Sequence, residues 1–235
     1  MSSPIIITID GPAGTGKSSA ALMLADRLGF DMLDTGAMYR AVALLAIESK
    51  IDPHDEARLA IAMDRTTLDV DFSSRPPVIR LGERDVHHRI RDADVTGIVS
   101  LIASHHEVRD RLVRAQRQVA LQHDRLVTEG RDQGSVVFPD ATVRVWLDAR
   151  PQVRASRRTE ELRARGEQVD EERVLAEIIE RDSSDRGRAE GPLQCPTGAA
   201  EIDTSDMTFE SVVTELERLV RARLNESNIR CGGCA

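Results

Sequence analysis

The sequence predicts a three-layer α/β fold: a parallel five-stranded sheet covered by helices on both faces, with a small antiparallel β insert and a mobile lid. Three observations predict it. An apolar run at residues 4–10 leads through a glycine-rich turn directly into a helical pattern. Short apolar strands then recur along the chain, separated by stretches long enough for helical crossovers, which is how parallel strands are joined. One region alone, residues 68–87, alternates in hairpin-length pieces.

Each element has its own signal. Pro4-Ile5-Ile6-Ile7-Thr8-Ile9-Asp10 reads as a buried strand, and a helix from residue 18 to residue 28 ends at Gly29, which suits a helix C-cap. Asp31-Met32-Leu33-Asp34 is a second short strand, followed by a helix over 37–48 with Met38, Val42, Leu45 and Ala46 at helical spacing. Residues 68–72 alternate, Ser73-Ser74-Arg75-Pro76-Pro77 turns, Val78-Ile79-Arg80-Leu81 alternates again, and Gly82-Glu83 leads to Arg84-Asp85-Val86-His87. That is a small antiparallel sheet inserted into the core. Residues 125–129, 143–148 and 200–203 supply three more core strands. The last helix shows one apolar face: Phe209, Val212, Val213, Leu216, Leu219, Val220 and Leu224. The reading is a single domain over 1–235, with the insert at about 63–92 and a lid at about 154–172, where Gly166 and the charged stretch to Glu172 suit movement. A tail at 225–235 is expected to be disordered.

Composition narrows the function. A chain of 235 residues can bury a full core. Its 32 basic and 40 acidic residues give a net charge of −8, which argues against a general nucleic-acid or membrane-surface binder. No stretch approaches the roughly 18 apolar residues of a membrane span. Met1-Ser2-Ser3-Pro4 shows no basic leader, and three cysteines make no disulfide framework, so the expected compartment is the cytoplasm. Cys231-Gly232-Gly233-Cys234 is half a zinc site and reads as an inert end. No long exposed apolar face stands out, so a monomer is expected.

Gly11-Pro12-Ala13-Gly14-Thr15-Gly16-Lys17-Ser18, with Ser19 after it, is a phosphate-binding loop (P-loop) between strand and helix. Glycines let successive backbone N–H groups face a phosphate, and the helix N-terminus adds partial positive charge. Lys17 would reach the terminal phosphates and Ser18 would offer a hydroxyl to Mg²⁺. Lys17 and Lys50 are the only lysines among 32 basic residues. Asp34-Thr35-Gly36-Ala37-Met38-Tyr39-Arg40 places a hydroxyl and a guanidinium at a helix start; Thr35 can equally be a helix cap. Glu129-Gly130-Arg131-Asp132-Gln133-Gly134-Ser135 leaves a strand at its carboxyl end, where open α/β sheets place ligands. Arg154, Arg157 and Arg158 share a helical face, either aimed at phosphate or solvated with Glu160 and Glu161 as partners. Arg181, Asp185 and Arg188, four and three apart, are a second candidate constellation or a surface ion pair. Moving a phosphoryl group between two phosphate-bearing molecules requires many positive forks at once, which favours the first reading in each case.

With these residues in view, the chain resembles the bacterial-type cytidylate kinases among the nucleoside monophosphate kinases. The likeness rests on the P-loop, on residues 33–40, on Val108-Arg109 with Gln116-Arg117, on residues 129–140, and on Arg181-Asp182 through Arg188 to Pro192-Leu193. It implies a nucleotide kinase that uses ATP and Mg²⁺ to phosphorylate CMP and dCMP. By that resemblance Thr35, Arg40, Arg131 and Arg188 hold the acceptor phosphate, Arg181 and Asp185 contact the ribose, and Ser100, Arg109 and Asp132 read the cytosine edge. Lys17, Arg131, Arg188 and a lid arginine, Arg157 or Arg158, carry the transfer. Glu129 is either a carboxylate acting on Mg²⁺ through water or a structural hydrogen-bond acceptor. Gln133 and Ser135 depart from the family, which more often has an aliphatic residue and threonine there. The alternatives are a kinase for UMP, another nucleoside monophosphate or a shikimate-like acceptor, and a nucleotide-dependent regulatory module. The last would want a guanine-reading Asn-Lys-x-Asp segment, which is absent.

Overall fold

The computed structural model describes residues 4–231, with side chains to residue 225. Five strands form the main sheet: β1 (Ile5–Asp10), β2 (Asp31–Asp34), β6 (Arg125–Gly130), β7 (Val143–Asp148) and β8 (Ala200–Asp203). Their order is β2-β6-β1-β7-β8 and every pairing is parallel. The central strands are buried on both faces, which is why they read as apolar runs in the sequence.

Alternation in these strands divides the core in two. Ile7, Ile9, Met32, Val127, Val145, Leu147 and Ile202 face α1 (Lys17–Leu28) and α8 (Phe209–Cys231), where Val212, Val213, Leu216 and Val220 complete the cluster. Leu33 and Leu126, one residue along in β2 and β6, face the opposite cluster. That side holds α2 (Thr35–Glu48), α3 (Glu56–Arg65), α4 (Ala93–Ile102) and α5 (His106–Gln122). It also holds the insert, β3 (Leu68–Asp71), β4 (Val78–Leu81) and β5 (Arg84–Asp85), paired antiparallel in the order β3-β4-β5. The insert's last strand is two residues long; Val86 is buried against α2's side of the core, and a 3₁₀ turn at Arg89–Arg91 follows. Phe209, placed on the apolar face of α8 by its spacing, is the helix's first residue and is 47% exposed.

The remaining helices, α6 (Pro151–Ala164) and α7 (Glu171–Arg186), form a hairpin over the carboxyl ends of the strands. Ala155, Val174 and Ile178 give the hairpin a small apolar core of its own. The tail expected at 225–235 falls partly outside the described residues: α8 extends to Cys231, and Cys234 lies outside the description.

Candidate active site

The first half of the site is backbone. Gly16, at φ 85°, caps α1 without a side-chain hydrogen bond, so the helix N-terminus is left open toward the loop. Gly11 passes so close to β7 that a Cβ would run into the carbonyl oxygen of Leu147, which fixes glycine there on steric grounds alone. Lys17 is folded back into the loop: its Nζ donates to Pro12 O at 2.6 Å and lies 3.4 Å from Thr15 Oγ1. Burial first, and the Arg131 charge second, hold the Lys17 ammonium below its ordinary pKa. An ammonium in that state gains from an incoming polyphosphate.

Four consecutive residues at the end of β6 join this half to the second. Glu129 Oε1 accepts the Ser18 hydroxyl at 2.7 Å, and the Glu129 carbonyl accepts the Thr35 hydroxyl at 2.7 Å. Burial, then the Asp34 charge, raise the Glu129 carboxyl above its usual range, while Lys17 pulls it down. Gly130 leads to Arg131, whose Nε donates to Asp185 Oδ2 at 3.2 Å. Asp132 is ion-paired with Arg109, both 4% exposed, and Arg109 Nη1 also donates to the Tyr39 hydroxyl at 3.3 Å.

Asp185 organises the rest. Buried on α7, it accepts from Arg131, from Arg188 and, at 3.3 Å, from the Ser100 hydroxyl of α4. The sequence spacing therefore marks a buried hub rather than a surface ion pair. Around it four guanidiniums crowd one another. Burial is the main cause that pushes Arg181 down to about 10, with Arg131 adding to it. Burial also lowers Arg188 and Arg40, and neighbouring arginines act in the same direction on each. Arg40 meanwhile donates to Thr96 Oγ1 at 2.7 Å. A cluster of this kind is short of negative charge, which is what a phosphate supplies.

The three lid arginines separate. Arg157 donates to Thr204 O at 2.7 Å, beside the end of β8. Arg158 pairs with Glu161 at 3.2 Å on the surface, yet its charge reaches Arg40. Arg154 belongs to neither environment and is 2% exposed. Ser100 stands with Asp185 rather than with the Arg109–Asp132 pair.

Some polar residues support the site without facing a substrate group. Asp10, at the carboxyl end of β1, accepts the backbone N–H groups of Gln133 and Gly134 at 2.7 Å each, and burial pushes its carboxyl up to about 7. Its oxygens are spent on holding the loop after Asp132, which leaves Glu129 as the carboxylate beside Ser18. Gln133 spans from Thr128 Oγ1 at 2.9 Å to Gln116 Oε1 at 3.1 Å, so this departure from the family pattern is absorbed by a buried polar chain. Tyr39, quoted in sequence only within the Asp34–Arg40 segment, supplies the hydroxyl that accepts from Arg109. Gln116, on α5, and Gln133, after β6, are 17 residues apart and meet only in the fold.

The comparisons with known proteins agree in direction. The cytidylate kinase family profile matches residues 7–222. A cytidylate kinase of Mycolicibacterium paratuberculosis is 44% identical over 223 residues, covering 95% of this chain and 98% of that protein. One from Pelotomaculum thermopropionicum is 47% identical over 223 residues, covering 94% and 97%. Among solved structures, a gluconokinase from Sinorhizobium meliloti 1021 aligns with a TM-score of 0.50 over 97% of this chain and 98% of its own. At 14% identity that likeness concerns the fold alone.

Proposed function

The chain belongs to the cytidylate kinase family, and from that premise we propose that it transfers the γ-phosphoryl group of ATP to CMP or dCMP, releasing ADP and CDP or dCDP. The observation that carries the reading is the segment Glu129-Gly130-Arg131-Asp132. Within four residues it touches the P-loop serine, the arginine hub and the buried Arg109–Asp132 pair.

The donor's β- and γ-phosphates bind the loop from Gly11 through Ser19, with Lys17 turning from Pro12 O to the phosphates. Thr35, Arg40, Arg131 and Arg188 take the acceptor phosphate. Asp185 then exchanges part of its hold on the arginines for the ribose hydroxyls, alongside Arg181. Asp132 and Arg109 face the base. Cytosine offers an amino donor at N4 and acceptors at N3 and O2, matching a carboxylate and a guanidinium, and uracil would set its O4 against the carboxylate. Ser100, bonded to Asp185, links base and ribose recognition.

No general base is needed. A phosphate monoester with a second pKa of about 6 is mostly dianionic at neutral pH and is itself the nucleophile. Catalysis rests on alignment and on charge stabilisation by Lys17, Arg131 and Arg188. Arg158, whose charge already reaches the acceptor cluster, is the lid arginine assigned to the transferring group, and Arg157 stays near Thr204. Closure of the lid, residues 154–172, excludes water and limits ATP hydrolysis.

Among the described residues no group of three or more His, Cys, Asp or Glu is arranged to hold a metal by itself. Ser18 and Glu129 nonetheless provide hard oxygen donors beside the loop, the set a Mg²⁺ ion accepts when phosphates and waters complete its shell. Ser18 would ligate it directly and Glu129 through water; when bound, it neutralises charge on the donor phosphates.

The setting we assign is the cytoplasm, and the working unit a monomer that engages neither nucleic acid nor membrane. The net charge of −8 argues against general nucleic-acid or membrane-surface binding, and no described helix is long and apolar enough to cross a membrane. The deciding experiment is the initial rate with Mg·ATP across CMP, dCMP, UMP, AMP and shikimate. CMP and dCMP are expected to lead, with UMP slower; a faster rate with AMP or shikimate overturns the assignment.

A further inference from the structure

The spacing that puts Arg154 beside Arg157 and Arg158 predicts a shared face, but Arg154 is among the largest fully buried side chains of the molecule. Its guanidinium has three partners on three different segments. Nε donates to Ala149 O at 2.8 Å, Nη1 donates to Ala13 O at 3.0 Å, and Nη1 lies 2.7 Å from Asp182 Oδ2. Only a planar fork serves acceptors spread this way. The stem of the same side chain lies along the loop: a Cβ at Gly14 would stand 3.3 Å from Arg154 Cβ.

Stability alone does not explain this pair. Asp182 is 2% exposed, and its Oδ1 has no hydrogen-bond partner within the protein. A buried ion pair with one oxygen unsatisfied is a poor stabiliser compared with an apolar replacement, so what it fixes is a geometry. The geometry in question is the Ala13–Gly14 peptide. A trans peptide is planar, and its C=O and N–H point in opposite directions. Holding the Ala13 carbonyl on Arg154 therefore fixes the Gly14 N–H to point the opposite way, away from the guanidinium.

We infer that Arg154 is a positioning residue for the donor phosphates: held by Asp182, it sets the Ala13–Gly14 peptide so that the Gly14 N–H meets the bound ATP. The strut comes from α6 and its anchor from α7, so this helix hairpin shapes the donor loop as well as flanking it. The inference rests on the nucleotide-kinase reading above, and its test separates the two.

The test uses the full chain with Arg154→Met, Arg154→Lys and Asp182→Asn. Calorimetry gives the ATP Kd, steady-state rates give KM for ATP and for CMP, and thermal melting reports folding. Loss of one oriented phosphate hydrogen bond predicts a rise of roughly 10-fold in the Kd and KM for ATP with Arg154→Met, while KM for CMP stays within about 2-fold. Arg154→Lys recovers part of the loss, and Asp182→Asn moves the same constants by less. If Arg154→Met does not fold, the other two variants carry the same split. ATP constants unchanged in a folded variant, ATP and CMP constants rising together, or a rise confined to CMP would each overturn the inference. A wild-type protein that binds ATP but leaves CMP unphosphorylated defeats the acceptor assignment and not this one, because the ATP Kd still reads the strut.

Discussion

The donor and acceptor halves of the site are built from different material. The donor half is nine contiguous residues, Gly11 through Ser19, whose working groups are backbone N–H donors, Lys17 and the Ser18 hydroxyl, placed by the turn between β1 and α1. The acceptor half is side chains from α2, α4, α5, the end of β6 and the end of α7, held together by Asp185 and by the Arg109–Asp132 pair. Backbone donors are shaped before any ligand arrives. By contrast, Arg131 and Arg188 are parked on Asp185, and Arg109 on Asp132, and the acceptor arginines must change partners when phosphate comes. One half therefore depends on loop geometry and the other on charge balance, so the same kind of substitution should fail differently in each.

The largest expected effect is in the donor half. Lys17→Ala removes the one mobile cation of the loop, and kcat/KM for ATP should fall by about 1,000-fold or more with the circular dichroism spectrum intact. Near-normal turnover would break the donor assignment. Next comes the acceptor hub. Asp185→Ala strips Arg131 and Arg188 of their shared buried counter-charge, and truncating such a partner should raise KM for CMP by about 100-fold while the ATP Kd moves little. Equal movement of both would mean the halves are not separately built.

Asp132→Ala sharpens the comparison on the base side. It should weaken CMP use by about 10- to 100-fold, narrow the preference for CMP over UMP, and lower the melting temperature because Arg109 loses its buried partner. An unchanged CMP-to-UMP ratio would move the base pocket elsewhere. The smallest effect is a proton. Burial and Arg131 hold Lys17 below its ordinary pKa in the free protein; donor phosphates beside it raise that value again. Between the two values ATP binding takes up a proton, so affinity weakens as pH rises through that window. Calorimetry in buffers of different ionisation enthalpy should show uptake of up to about one proton. Release of a proton would contradict the role given to Lys17.

The same contrast explains how far the sequence could be read. The P-loop is legible because its chemistry is contiguous and its context, strand before and helix after, is local. The core strands are legible because burial on both faces leaves apolar runs such as Ile5-Ile6-Ile7. Asp185 was marked by its four- and three-residue spacing to Arg181 and Arg188, but spacing could not show that Ser100 and Arg131 converge on it from α4 and β6. Arg154 shows the limit most clearly. Helical periodicity put it on a face with Arg157 and Arg158, and only the packing of α7 against α6 decides that this part of the face is interior. Helices α3, α4 and α5 leave weaker marks because no glycine or proline separates α4 from α5, and because they pack mainly on α2 and, for α3 and α5, on each other rather than on a strand next to them in sequence.

Both halves must open onto one space if phosphate is to pass between them. Binding of a bisubstrate compound, adenosine and cytidine joined by a polyphosphate chain, tests this most directly by calorimetry with competing ATP or CMP. One molecule is expected to bind per chain, to displace both nucleotides, and to lose affinity in Lys17→Ala and in Asp132→Ala alike. A complex that still accepts CMP, or that is indifferent to either substitution, would contradict it.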